Sequence, residues 1–223
     1  MHYHLRMKHF PLAGAILLLL CFSSHAQTAL PNDGQVKDRV YYNSFFSFTF
    51  TFPKDWVVQE KAINESIQER VKEEAAKSGA LKNSYLLLTV SRYPRGTPGI
   101  AIPPIILVIA ENIAPVPRKY NAKDYLLEIR SLKMKKGIRP LLNEPVEFRV
   151  GGFQFFRDDY SDEFNGVSMR KAVFVTVKKG YALIFSFAAE DQKSVDEMAQ
   201  AMKTILPIGS GIGIGPTPQR KPD

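Results

Sequence analysis

The sequence predicts an α+β protein in which amphipathic helices pack on an antiparallel β-sheet. Three observations carry this. Several segments alternate apolar and polar residues at period two, as half-buried strands do. Three others space their apolar residues by three or four, with capping and stop signals at their ends. Finally, Asn165-Gly166 and Lys179-Gly180 sit between strand-like runs as turns too short for anything but antiparallel neighbours.

The elements follow in order. Residues 1–26 read as a secretory signal: basic Arg6 and Lys8, an apolar run from Phe10 to Phe22, then Ser24 and Ala26 before a cut at Gln27. The run is 13 residues, short of the roughly 20 that span a bilayer, so cleavage is expected rather than anchoring. Residues 27–40 are polar and read as a flexible leader. Tyr41 to Phe52 (YYNSFFSFTFTF) is expected to be one strand whose Phe46, Phe48, Phe50 and Phe52 face a core. A turn at Pro53-Lys54-Asp55 leads to a short strand from Trp56. Ala62 to Lys77 reads as a helix with Ile63, Ile67, Val71 and Ala75 on one face, ended near Gly79. Ser84 to Tyr93 and Ile105 to Ile113 read as strands around a Pro/Gly loop. Asn121 to Lys136 is a helix with Asn121 as N-cap and Gly137 as stop. Pro145 to Val150, Phe153 to Asp162, Val167 to Lys178 and Tyr181 to Ala188 are strands, the last three a meander. Ser194-Val195-Asp196-Glu197 reads as a capping box opening a last helix that Pro207 closes. The expected domain is therefore 41–207, followed by a disordered Gly/Pro-rich basic tail over 208–223.

Missing residues narrow the chemistry. All four histidines (His2, His4, His9, His25) and the only cysteine (Cys21) lie within the expected signal. Without them there is no His-assisted nucleophile, no thiol redox chemistry, no Cys/His zinc site and no disulfide. The signal also takes two of the 30 basic residues and none of the 22 acidic ones, so the net charge falls from +8 to +6. That balance is mild, and the aromatics sit at core spacing, so nucleic acid is not an expected partner.

Phe52-Pro53-Lys54-Asp55-Trp56 after an aromatic strand, and Gly180-Tyr181 opening a strand with Phe185-Ser186-Phe187 before a capped helix, resemble the PsbP-like superfamily, which includes bacterial exported proteins of the DcrB type. The resemblance spans about Tyr41 to Leu206. It implies an α/β/α sandwich around an antiparallel sheet and no catalytic residue or cofactor, since such proteins mostly serve as accessory or binding modules. The helix from Ala62 and the long Pro/Gly loop depart from that pattern.

Asp158, Asp159, Asp162 and Glu163 form the densest acidic cluster, and Asp158 and Asp162 are the candidates for a cation such as Ca²⁺. Strand alternation sends Asp158 and Asp162 one way and Asp159 and Glu163 the other. A two-residue turn at Asn165-Gly166 would set Asp162 opposite Met169, Ser161 opposite Arg170 and Tyr160 opposite Lys171, which favours a charge-paired hairpin over a metal site. Arg130, Lys133, Lys135, Lys136 and Arg139 are candidates for an anionic surface, against the plainer reading of a solvated helix end favoured by its dipole. Ser131 is followed by Lys133 rather than by a lysine three residues on, and Ser168 has Lys171 at that spacing only on an alternating strand, so neither is a convincing Ser-Lys pair; the Gly-rich run from Gly209 lacks the Lys-Ser/Thr of a phosphate loop.

The expected function is an exported, non-catalytic binding or accessory module of the cell envelope, in the periplasm or outside the cell, with a protein or envelope component as partner. The alternative is a hydrolase that uses carboxylates alone on an envelope polymer.

Overall fold

The computed structural model describes residues 30–59, 65–69, 73, 84–94, 96–100, 103–115, 120–164 and 166–209. The expected signal segment, residues 27–29 of the leader, Asn165 and the tail from residue 210 lie outside these. The α+β class holds, with antiparallel pairing throughout.

A large sheet runs β4 (Val57–Val58), β5 (Ser84–Ser91), β6 (Ile105–Asn112), β11 (Tyr181–Ala189), β10 (Val167–Lys178), β9 (Phe153–Phe164), β7 (Arg139–Pro140), with β8 (Val146–Val150) also on β9. A small sheet runs β1 (Gln35–Lys37), β2 (Val40–Asn43), β3 (Phe48–Thr51), β12 (Leu206–Pro207). The helices are α1, described at residues 65–69 and 73, then α2 (Ala122–Lys135) and α3 (Gln192–Ala199), which tightens into a 3₁₀ turn over Gln200–Thr204.

Pleating sorts the large sheet into two faces. Tyr160, Val173, Val175 and Ala182 pack with Tyr125 and Leu126 of α2. Phe155, Phe174, Phe185 and Phe187 pack on the opposite side with Val195 and Met198 of α3 and with the phenylalanines of the small sheet. Phe185 sits at the centre, its ring 5.7 Å from Phe48, 5.4 Å from Phe50 and 5.8 Å from Phe155. Such edge-to-face rings add to the free energy of burial.

Several expectations need correction. The aromatic run is not one strand, because it breaks into β2 and β3. The Asn43 side-chain carbonyl accepts from Phe46 N at 2.8 Å and Ser47 takes φ +54°, which folds the chain back on itself. Phe46, Phe48, Phe50 and Phe52 are nonetheless all buried. The leader is not all loose: residues 35–37 form β1, joined to β2 by Asp38 and Arg39 at positive φ, the conformation of a tight hairpin turn. The last helix is capped three residues earlier than read, by Asp191, whose carboxylate accepts from Ser194 N at 2.9 Å and from Ser194 Oγ at 2.7 Å. Leu206 and Pro207 do not belong to that helix; they form β12 against β3. One face of the sandwich is therefore α2, and the other is α3 together with a second sheet. Only part of the helix read from Ala62 lies within the described residues, and there Gln68 ties α1 to the main chain of Ser84 and Leu86.

Around the site, two features fix β9. Gly151 and Gly152, both at positive φ, turn β8 into β9 in two residues, and a Cβ on Gly151 would stand 2.2 Å from Ile205 O. At the other end, Phe164 pairs with Val167 across the predicted two-residue turn.

Candidate functional site

β9 carries Arg157, Asp158, Asp159, Tyr160, Ser161 and Asp162 in succession, and the pleat distributes them to two environments. Asp158, fully buried, faces α2. Arg130 Nη1 donates to its two oxygens at 3.1 and 3.3 Å, and Tyr160 OH donates at 2.7 Å. Arg130 Nη2 is spent on Leu142 O at 2.6 Å. Lys133 Nζ lies 4.7 Å from the centre of the Tyr160 ring, and burial, reinforced by Lys171, pulls its pKa down to about 8. Asp162 is contacted by Lys171 Nζ; burial pushes the carboxyl up, but that ammonium outweighs it and holds the group below its ordinary value.

On the opposite face Arg157 is the hub. Its Nε and Nη2 each reach an oxygen of Asp159 at 2.7 Å, and Nη2 also reaches Asp196 Oδ1 of α3 at 2.8 Å. Burial raises the Asp159 pKa, with the guanidinium opposing, so the net displacement is upward. Burial works against the charge on Arg157, but the two carboxylates more than compensate. Gln192 Nε2 donates to the same Asp196 oxygen at 3.2 Å, while Gln192 Oε1 is buried with no hydrogen bond. These groups floor an open groove of about 560 Å³ whose wall is Leu141, Leu142 and Val146, and Arg170 of β10 reaches into it. Leu141 N donates to Asp159 O at 2.8 Å, pinning the apolar wall to the floor.

The candidate cation residues thus do not converge. Asp158 is taken by Arg130 and Tyr160, and Asp162 by Lys171. Among the described residues no group of three or more His, Cys, Asp or Glu is placed to hold a metal. The basic candidates are also dispersed. Arg130 and Lys133 turn inward to the α2 face, Lys135 and Lys136 stay exposed at the helix end, and Arg139 in β7 falls opposite Ser161, on the groove side. Ser131 and Ser168 are both exposed. Arg157, Asp196, Gln192 and the wall residues were not singled out from sequence. Arg157 stands at i−2 from Asp159 and so shares its face, a signal the strand pattern did contain.

No protein-family model and no curated protein matches the chain. Among solved structures it is similar to a protein of Bacteroides thetaiotaomicron at 13% identity, over 77% of this chain and 49% of that one, with a TM-score of 0.40. It is similar to the cyanobacterial PsbP of Synechocystis sp. PCC 6803 at 11% identity, over 83% and 98% of the two chains, with a TM-score of 0.46. It is also similar to LpqN of Mycobacterium tuberculosis, described as involved in cell envelope biogenesis, at 13% identity, over 72% and 83%, with a TM-score of 0.40. The chain spans about half the length of the Bacteroides protein. A PsbP is thus among the structures the chain is similar to.

Proposed function

We propose that this chain is an exported, non-catalytic binding module that holds a protein or envelope component in the groove between β8, β9, β10 and the start of α3. The observation that carries the reading is the division of labour within the groove. The floor carboxylates are committed to Arg157, while the exposed Leu141 and Val146 and the side chain of Arg170 stand open. A pre-formed polar floor beside an apolar wall suits recognition, because little has to be ordered when the ligand arrives. Export is supported by the basic, apolar and small-residue pattern of residues 1–26.

The test is a groove-filling variant, Val146→Trp. Wild type immobilised against an envelope extract is expected to retain a component that the variant loses. Equal retention by both would move the binding site elsewhere.

A second reading, the carboxylate hydrolase, has one observation in its favour: Asp159 and Asp196 meet in one groove, and the first has a raised pKa. Against it, both Asp159 oxygens are held by Arg157, whereas a general acid must present its proton to a leaving group. Hydrolysis of an envelope glycan by wild type that is abolished in Asp196→Asn would favour the enzyme over the module.

A further inference from the structure

We propose that the groove receives the free C-terminus of a peptide ending in an apolar residue, its carboxylate held between the guanidinium groups of Arg139 and Arg170. This rests on the groove being a binding site and names the ligand class it would take.

The argument begins with register. Arg139 pairs with Ser161 across β7 and β9, and Ser161 pairs with Arg170 across β9 and β10. Directly opposed residues share a face, so the three form one row across three strands. Ser161 follows Arg157 and Asp159 at steps of two, which puts that row on the groove side. The outer members of three adjacent strands stand roughly 9–10 Å apart, within reach of two long side chains closing on one small anion. Arg130 and Arg157 nearby each hold an aspartate, whereas no described residue forms an ion pair with Arg139 or Arg170. Glu163, one row further along the same face opposite Ser168, is exposed and pairs with neither arginine. A planar carboxylate is the partner that a guanidinium fork matches best.

Two further groups separate a peptide terminus from any other anion. Leu141 and Val146 are 41% and 47% exposed on the groove wall and fit the side chain of an apolar last residue. Gln192 Oε1 is a buried acceptor without a donor, and its amide cannot simply be flipped, because Nε2 is engaged by the Asp196 carboxylate. The N–H of the last residue, a few ångströms from its own carboxylate, is a donor of the kind that acceptor lacks. Inorganic phosphate or acetate would use the arginines alone.

The experiment compares a labelled pentapeptide ending in Leu-Leu as the free acid and as the C-terminal amide, titrated against the full chain. The acid is expected to bind at least 10-fold more tightly, and Arg139→Gln/Arg170→Gln is expected to reduce its affinity to that of the amide without lowering the melting temperature. Equal binding of acid and amide to wild type, or an acid preference that survives in the double variant, would overturn the clamp. If that equal binding is lost in Val146→Trp, the groove still binds and only the assignment of the terminus fails. Binding of neither peptide, or of inorganic phosphate or phosphatidylglycerol vesicles in their place, would overturn the proposal, and the extract comparison then decides the groove separately.

Discussion

Asp158 and Asp159 are adjacent, chemically identical and placed in opposite worlds. The first is sealed under α2, with both oxygens met by Arg130 and a buried tyrosine hydroxyl. The second lies on the floor of an open groove and shares Arg157 with a helix residue 37 positions on, Asp196. The strand pleat makes the difference, sending one carboxylate under α2 and the other, 5% exposed and bound to Arg157, to the floor of the groove. Both carboxylates are buried and arginine-bound, so what separates them is the face of the sheet each one lies on and what covers that face.

The comparison is sharpest where burial is complete. On the groove side, Phe50→Ala removes a fully buried ring stacked edge-on to Phe185 and is expected to cost about 3–5 kcal/mol in urea denaturation. A loss below about 1 kcal/mol would mean the small sheet is not seated on the large one. On the α2 side, Asp158→Ala is expected to cost about 3–5 kcal/mol, because Arg130 would be left with an uncompensated, mostly buried charge. If Asp158→Ala were nearly neutral, water would have to reach Arg130 and the two faces would not differ as described.

A pH experiment tests the sealed face without breaking it. In the unfolded chain Lys133 keeps its proton to about 10.5, whereas in the fold it releases it near 8. Between those values the unfolded state binds more protons, so this group makes stability rise with pH. Below pH 8 both states are protonated and the cost of burying the charge is in full force. The groups facing it are Lys171, Asp162, Lys136, Asp158 and the Tyr160 ring. Lys133→Met is therefore expected to be more stable than wild type at pH 7, with the difference shrinking as pH approaches 10.5. Parallel denaturation curves at pH 7, 9 and 10.5 would check this, and a constant difference would place Lys133 in water.

Much of this contrast was legible beforehand. The Asn165-Gly166 turn gives the β9–β10 register residue by residue, including Ser161 against Arg170 and Tyr160 against Lys171, because a two-residue hairpin leaves no freedom. Alternation then separates Asp158 from Asp159. The long periodic helix from Asn121 was equally readable, with its cap and glycine stop. What escaped was either short or non-local. β7 is two residues long and ends in a proline, so no pattern announces that Arg139 joins the Ser161 row. Arg157 meets Asp196 only because α3 packs over the sheet, a tertiary contact no local rule contains. The hairpin inside Tyr41 to Phe52 was hidden by unbroken aromatic alternation, which continues through the turn because Phe46 is buried in the turn itself.

The smallest expected effects lie within the groove, and they separate its two kinds of arginine. Arg157→Gln breaks three charge-assisted hydrogen bonds in a side chain that is 25% exposed. Such bonds are worth about 1.5–3 kcal/mol when shielded, and solvent screening lowers this to about 1–2 kcal/mol for the group. Arg170→Gln, a neighbour lining the same groove but holding no carboxylate, is expected to change stability by less than about 0.5 kcal/mol. Urea denaturation of the two variants at pH 7 reads the difference directly. If Arg170→Gln proved as costly as Arg157→Gln, its guanidinium would be part of the scaffold, and the groove would have no charge in reserve for a ligand. If both were silent, the floor itself would not be held by Arg157, and the carboxylates of Asp159 and Asp196 would be free for the chemistry that a hydrolase requires.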